Sequence, residues 1–91
     1  MPAKIRIPSA MKRLSNEQSV VELDGRTVEE VLAALESRHP GFRERIMAEN
    51  GKIRRFVNVY VNEEDIRFLQ NRATPLKDGD EISIIPAIAG G

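Results

Sequence analysis

The chain has 91 residues, of which 41% are hydrophobic, and its 14 basic and 14 acidic side chains give zero formal net charge. This length fits one domain with a modest core, and the balanced charge lacks the surplus that nucleic-acid binding requires. The absence of cysteine excludes disulfides, thiolate nucleophiles and cysteine-ligated zinc. No apolar signal core or membrane-spanning run is present, so we expect a cytoplasmic protein without nucleic-acid or membrane partners.

Two strands are predicted in the first quarter of the chain. Residues 4–7 alternate polar and apolar side chains, as a half-buried strand does. Residues 18–23 are the second candidate, with Val21 and Leu23 on one face. The polar segment between them, residues 9–17, is predicted to be a hairpin loop.

A helix is predicted to begin at Thr27. The Thr27 hydroxyl is expected to accept from the amide of Glu30, while the Glu30 carboxylate reaches back to the amide of Thr27. Four apolar residues follow at helical spacing and form one stripe. They are Val28, Val31, Leu32 and Leu35. The helix is expected to end after His39, and a short second helix is predicted over residues 42–49.

Three further strands are predicted in the second half of the chain. Residues 56–62 give the clearest pattern, with three alternating valines on one face. Residues 66–68 are predicted to be a short edge strand. Residues 77–80 have the Asp and Gly content of a turn, and residues 81–86 are predicted to be the last strand.

This order of elements predicts an α+β fold with one mixed sheet and one main helix packed on one face. A right-handed crossover through the helix is expected to place the two flanking strands parallel and near each other. The valine face of the 56–62 strand would meet the helix. The opposite face, with Phe56 and Tyr60, would meet solvent or a partner, unless these two rings form a cross-strand pair under loops.

The sequence contains few candidates for catalysis. The single histidine, His39, lies at a predicted helix end, where a capping or surface role is commoner than a catalytic one. Gly51-Lys52 lacks the rest of a phosphate-binding loop, and the acidic turn at 78–81 lacks the spacing of a calcium loop. No nucleophile and base can be paired, so we do not expect a self-sufficient enzyme, a metal site or a bound cofactor.

Two groups of charged residues remain. The basic group is expected to be mainly a solvated face rather than a nucleic-acid contact. It comprises Arg43, Arg45, Lys52, Arg54 and Arg55. The acidic group either guides encounter with a basic partner or is ordinary turn chemistry. It comprises Glu63, Glu64, Asp65, Asp78, Asp80 and Glu81.

The sequence ends on Gly90-Gly91, after an apolar strand and a tail of small residues. At average glycine content, about one chain in 200 would end so by chance. Together with the strand order and the L-x-D-G-D-x-I element at 76–82, this ending resembles the ubiquitin-like sulfur carriers. That family includes the small subunit of molybdopterin synthase and the thiamin sulfur carrier. Residues 55–68 and 85–91 further resemble the branch that serves actinobacterial cysteine synthesis.

The resemblance implies a β-grasp domain over residues 1–86 and a flexible tail over residues 87–91. It also implies that an E1-like adenylyltransferase uses ATP to adenylate the carboxylate of Gly91. A sulfur donor would then displace AMP and leave a thiocarboxylate. Gly90 has no Cβ, which lets the tail enter a narrow channel. Because nothing follows Gly91 in the sequence, we expect no prior proteolysis.

The resemblance also implies partners for the chain. A patch of four residues is expected to dock the adenylating enzyme; its members are Phe56, Tyr60, Ile85 and Ile88. The acceptor of the sulfur would be a cysteine synthase that uses O-phosphoserine or, alternatively, the large subunit of molybdopterin synthase. Two other functions stay open, namely a protein modifier joined through Gly91 to lysines and a plain binding module.

Overall fold

The structure is a computed structural model, and it describes residues 2–86. The α-helices and strands are β1 (Pro2–Arg6), β2 (Val20–Asp24), α1 (Val28–Arg38), α2 (Phe42–Ile46), β3 (Val57–Val61), β4 (Glu64–Asp65) and β5 (Glu81–Pro86). Short 3₁₀ helices cover Ser9–Ser15, Ile66–Phe68 and Asn71–Ala73. The structure confirms the main helix and four of the predicted strands. These strands are β1, β2, β3 and β5.

The five strands form one mixed sheet in the order β2-β1-β5-β3-β4. β1 and β5 are parallel, and the other neighbouring pairs are antiparallel. The expectation that the strands flanking the helix lie side by side was wrong, because β1 and β5 separate β2 from β3. The last strand enters the middle of the sheet, so the parallel pair joins the first and last strands instead.

The hydrophobic core lies between α1 and one face of the sheet. All four residues of the predicted helix stripe are buried, with Val28, Val31 and Leu35 fully so. Ile5 and Ile82 contribute to the same core from the two central strands. Burying a side chain of this size contributes about 1.5–3 kcal/mol before the loss of conformational entropy is subtracted. The helix therefore packs on one face of the sheet, as predicted.

The start of α1 differs in one detail from the predicted capping box. The Thr27 hydroxyl accepts from the amide of Glu30 at 3.2 Å, as expected. The Glu30 carboxylate, however, accepts from the amide of Arg26 at 2.9 Å rather than from that of Thr27. The preceding Gly25 is required by a close approach, since a Cβ there would lie 2.6 Å from Cγ2 of Val31. The turn before α1 is thus fixed against the helix itself.

Two predicted segments have a different structure. The supposed loop at 9–17 contains the 3₁₀ helix Ser9–Ser15, in which Met11 and Ser15 are buried and the Ser15 hydroxyl donates to the Gln18 carbonyl at 2.8 Å. The supposed edge strand at 66–68 is also a 3₁₀ helix. The actual edge strand, β4, precedes it and ends after two residues, because the Asp65 carboxylate caps the turn that follows.

Candidate functional site

The end of β5 is the point from which the diglycine segment continues. β5 lies in the middle of the sheet, between β1 and β3, and its side chains Ile82 and Ile84 are buried. Its last residue, Pro86, lies opposite Val57 at the start of β3. The predicted tail, residues 87–91 with Ile88, Gly90 and Gly91, lies outside the described residues. The sheet therefore fixes the position of Pro86, the residue that precedes the predicted tail.

The turn before β5 is held by backbone and side-chain hydrogen bonds. The Asp80 carboxylate accepts from the amide of Lys77 at 2.8 Å, and the amide of Asp80 donates to the Lys77 carbonyl at 3.0 Å. Gly79 has a φ of +87°, which glycine adopts without the steric cost that other residues pay. Its amide donates to the carbonyl of Pro2 at 3.0 Å. These hydrogen bonds hold residues 78–80, the predicted D-G-D element, in a turn that determines where β5 begins.

The outer face of the sheet, opposite the core, contains two of the predicted docking residues. Tyr60 lies opposite Ser83, and Ile85 lies opposite Asn58. Because side chains alternate along a strand and the valines of β3 point inward, these four side chains point outward. Ile85 is 47% exposed, so the end of β5 presents an apolar side chain to solvent.

Phe56 is brought to the same end of the sheet as Ile85. It precedes Val57, whose partner is Pro86, and it is 56% exposed. The alternative arrangement, in which loops cover a pair formed by Phe56 and Tyr60, therefore does not hold for Phe56. Phe56 and Ile85 therefore lie close to the end of β5, whereas Tyr60 lies three residues further back, opposite Ser83. The contact of all three with a partner enzyme stays a prediction.

Asp65 and Arg67 form an ion pair that sequence reasoning did not find. Asp65 lies opposite Tyr60, so its carboxylate is on the outer face of the sheet. Nη2 and Nε of Arg67 donate to its Oδ2 at 2.7 and 3.1 Å. These hydrogen bonds hold the pKa of Asp65 below its ordinary value and raise the pKa of Arg67. The pair fixes Arg67 beside the docking residues.

Phe68 is another residue whose position the sequence did not predict. It is 82% exposed, the highest value among the large hydrophobic side chains of residues 2–86. The predicted edge strand at residues 66–68 gave no reason to expect so high an exposure of Phe68. In the 3₁₀ helix, Ile66 is instead buried and Phe68 projects into solvent. The only available signal was the presence of an aromatic residue in a polar, charged segment.

No feature of the described residues indicates catalysis or metal binding. Within residues 2–86, no cluster of three His, Asp or Glu side chains could hold a metal ion. The amide of His39 donates to the Leu35 carbonyl at 2.7 Å at the C-terminal end of α1, where the sequence predicted a capping or surface residue. Its ring lies edge-on to Phe42 with Nε2 buried. Neither α1 nor any other helix in this range is long and apolar enough to cross a membrane.

Comparison with known proteins identifies relatives along the whole sequence. Residues 5–91 match the ThiS family. The chain is 41% identical to the sulfur carrier protein CysO of Mycobacterium tuberculosis, and the alignment covers all of both chains. It is also 40% identical over 68 residues to small archaeal modifier protein 3 of Haloferax volcanii, covering 75% of this chain and 73% of that protein.

The structure is also similar to solved structures. It superimposes on a chain of the Amycolatopsis orientalis BexX/CysO complex with a TM-score of 0.91 and 42% identity, covering 98% of this chain and 99% of the other. This likeness confirms the predicted β-grasp fold. The relatives include sulfur carriers and a protein modifier, which are two of the functions that the sequence left open.

Proposed function

The chain belongs to the ThiS family of sulfur carriers, and we propose that its reacting group is the carboxylate of Gly91. A partner enzyme adenylates this carboxylate with ATP, and a sulfur donor then displaces AMP to leave a thiocarboxylate. The proposal depends chiefly on one observation, namely that the chain is 41% identical to a sulfur carrier over its full length. The position of Pro86 at the end of a central strand supports it.

The proposed role of the domain is to hold and present this end of the chain. Residues 87–91 extend at most about 16 Å beyond Pro86 at the usual rise per residue. Gly90 and Gly91 add no side chain to this length, so the carboxylate can enter a site too narrow for other residues.

We further propose that the chain is a co-substrate and not an enzyme. The partner adenylyltransferase would supply the ATP site and the catalytic groups, and the chain itself would bind no cofactor. The match to the ThiS family and the identity to a sulfur carrier support this assignment of roles. Because adenylation consumes ATP, we place the reaction in the cytoplasm.

The acceptor that we propose is a cysteine synthase. The chain is 41% identical over its full length to a sulfur carrier named CysO, and 42% identical to a chain of a solved BexX/CysO complex. The thiocarboxylate sulfur is a soft nucleophile, and it would attack an electrophile held in the acceptor's active site. Transfer to the large subunit of molybdopterin synthase is the alternative within the same chemistry.

A second candidate function is protein modification. The 40% identity to small archaeal modifier protein 3 favours it, although that match covers only three quarters of the chain. Modifier and carrier share the adenylate and differ at the acceptor, which would be a lysine amine instead of a biosynthetic enzyme. The two are therefore distinguished by the product formed at Gly91.

Intact-mass analysis of the protein from its native cell tests the proposal. Exchange of one oxygen of Gly91 for sulfur is expected, and peptide mapping should place it at the C-terminus. Isopeptide bonds from Gly91 to lysines of other proteins would instead identify a modifier. An unmodified carboxylate under every condition of sulfur demand would reject both functions.

A further inference from the structure

A groove of about 450 Å³ lies along the outer edge of β3. Its walls are the loop that precedes β3 and the 3₁₀ helices that follow β4. Five cationic side chains line it, and the only acidic side chain among the lining residues is Asp65. The cations are Lys52, Arg54, Arg55, Arg67 and Arg72. We call this feature the basic groove, and its local charge contrasts with the zero net charge of the whole chain.

Several cations of the basic groove keep unused hydrogen-bond donors. The side chains of Lys52 and Arg55 are exposed and make no hydrogen bond or ion pair within residues 2–86. Nε of Arg54 donates to the carbonyl of Glu44 at 2.9 Å, which orients the guanidinium group. The two Nη groups remain as hydrogen-bond donors for a ligand. Arg67 is oriented differently, by an ion pair in which Nε and Nη2 donate to the Asp65 carboxylate. The groove thus presents fixed guanidinium groups together with uncompensated charge.

The floor of the basic groove includes an edge of the sheet. β4 pairs only with Tyr60 and Val61, so residues 57–59 of β3 have no strand on that side within the described chain. The amide of Asn62 donates to the Glu81 carbonyl, toward β5. Because backbone groups alternate in direction along a strand, those of Val59 point the other way, into the groove. An extended segment laid there would find both backbone partners and cations.

The basic groove begins where the chain leaves the sheet. Val57 lines the groove and is also the partner of Pro86, the last residue of β5. This end of the groove therefore lies about one strand spacing from Pro86, within reach of an enzyme that holds the residues after it. Resting on the function proposed above, we propose that an extended, acidic segment of the adenylating enzyme binds in the basic groove.

A nucleic-acid ligand fits these observations less well. Glu63, in the turn after β3, and Glu64, the first residue of β4, are both exposed, and they would repel a phosphate backbone that continued past the groove. A peptide segment of limited length avoids them. The opposite charges would mainly increase the rate of encounter and fix the orientation of the tail.

The test is the loading of Gly91 by the adenylating enzyme of the same organism, followed by intact mass at varied carrier concentration. The double variant Lys52→Glu/Arg55→Glu reverses the two cations without internal partners. The matched control, Arg13→Glu/Arg26→Glu, makes the same change of charge at exposed positions outside the groove. Thermal unfolding of each variant establishes that the domain is intact.

We expect the groove variant to raise KM by about tenfold or more, with kcat retained at saturation, and the control to stay within about twofold of wild type. Added salt should raise the wild-type KM and affect the groove variant less. Equal KM values for both variants would overturn the proposal while leaving the carrier function intact. A wild-type chain that is never loaded would instead reject the carrier function itself.

A second measurement distinguishes peptide from nucleic acid. Backbone amide shifts are followed while a peptide of alternating Glu and Val, or a short thymidine oligonucleotide, is added. The peptide should shift the amides of Lys52, Arg55 and Val59 in the wild type and not in the groove variant. Shifts with the oligonucleotide alone, or with neither probe, would overturn the proposal.

Discussion

The side-chain amide of Asn62 donates to Oδ1 of Asp80 at 2.9 Å, which joins the turn after β3 to the turn before β5. The carbonyl oxygen of the same Asn62 side chain accepts from the amide of Glu81 at 3.0 Å. One asparagine therefore fixes both the acidic turn and the first residue of β5. Since Pro86 is five residues further along the same strand, this contact also sets where the chain leaves the sheet.

Replacing Asp80 by alanine should lower the free energy of unfolding by about 1–2 kcal/mol, because the amides of Lys77 and Asn62 both lose their acceptor. Urea denaturation measures the change. Asp78→Ala is the matched control, since Asp78 is exposed in the same turn, and it should cost less than about 0.5 kcal/mol. Similar losses in the two variants would show that the turn, and not the contact with Asn62, determines the effect.

The ion pair of Asp65 and Arg67 should make stability depend on pH in acid. Hydrogen bonding by Arg67 depresses the pKa of Asp65 in the folded state below its ordinary value of 3.8. The resulting stabilisation is present above that value and is lost as the pH falls through the lower, folded-state pKa. Arg67→Gln should therefore raise the pKa of Asp65, as followed by NMR titration of its carboxyl carbon.

The same substitution gives a second readout for the ion pair. Arg67→Gln should flatten the fall of the unfolding free energy in the acid range, because the carboxylate is then less favoured in the folded state. Arg72→Gln is the control, as the nearest approach of Arg72 to a carboxylate is 3.4 Å from Nη1 to Glu29. An unchanged Asp65 titration in Arg67→Gln would contradict the assigned cause.

The sequence predicted those elements whose side chains follow a regular period. Ile82 and Ile84 lie two residues apart on one face of β5 and are buried, as the pattern of this strand indicated. Residues 66–68 have the same spacing of apolar side chains but form a 3₁₀ helix, because the Asp65 carboxylate accepts from the amide of Arg67 at 2.8 Å and ends the strand. A capping contact of this kind acts over two residues and leaves no periodic signal.

The basic groove could not be predicted from local sequence, because its residues come from separate segments of the chain. Lys52 and Arg55 were assigned to a solvated face together with Arg43 and Arg45. The structure instead groups them with Arg67, which comes from beyond β4. That grouping requires the strand order, and the expected placement of the strands flanking the helix was wrong. The role of Gly91, which was inferred from the end of the sequence, stays a prediction because it lies outside the described residues.

Ile85→Arg should impair docking of the adenylating enzyme without unfolding the domain. Ile85 is 47% exposed on the outer face, so an arginine there costs little folding energy but places a charge in the proposed contact. We expect KM for loading to rise by about tenfold. Val20→Arg is the control, because Val20 is 42% exposed on the edge strand β2.

The contrast between these two positions tests the docking patch. Phe56→Ser should behave as Ile85→Arg does, since Phe56 lies at the same end of the sheet. If Val20→Arg raised KM as much as Ile85→Arg, the enzyme would contact the whole outer face. If none of the three variants changed KM, the docking role of this end of the sheet would be wrong.

Gly91→Val should lower thiocarboxylate formation by roughly 100-fold or more, because a branched side chain next to the reacting carboxylate displaces it from its attack position. The thermal unfolding midpoint should not change, since the core described above is formed by residues before Pro86. Ala87→Val adds a branched side chain four residues earlier and is expected to load nearly as well as wild type. Intact mass after incubation with the adenylating enzyme, ATP and a sulfur donor measures all three proteins. Normal thiocarboxylate formation in Gly91→Val would contradict the steric argument for the diglycine. If both variants failed to form the thiocarboxylate, the narrow channel of the enzyme would have to reach back to the end of β5.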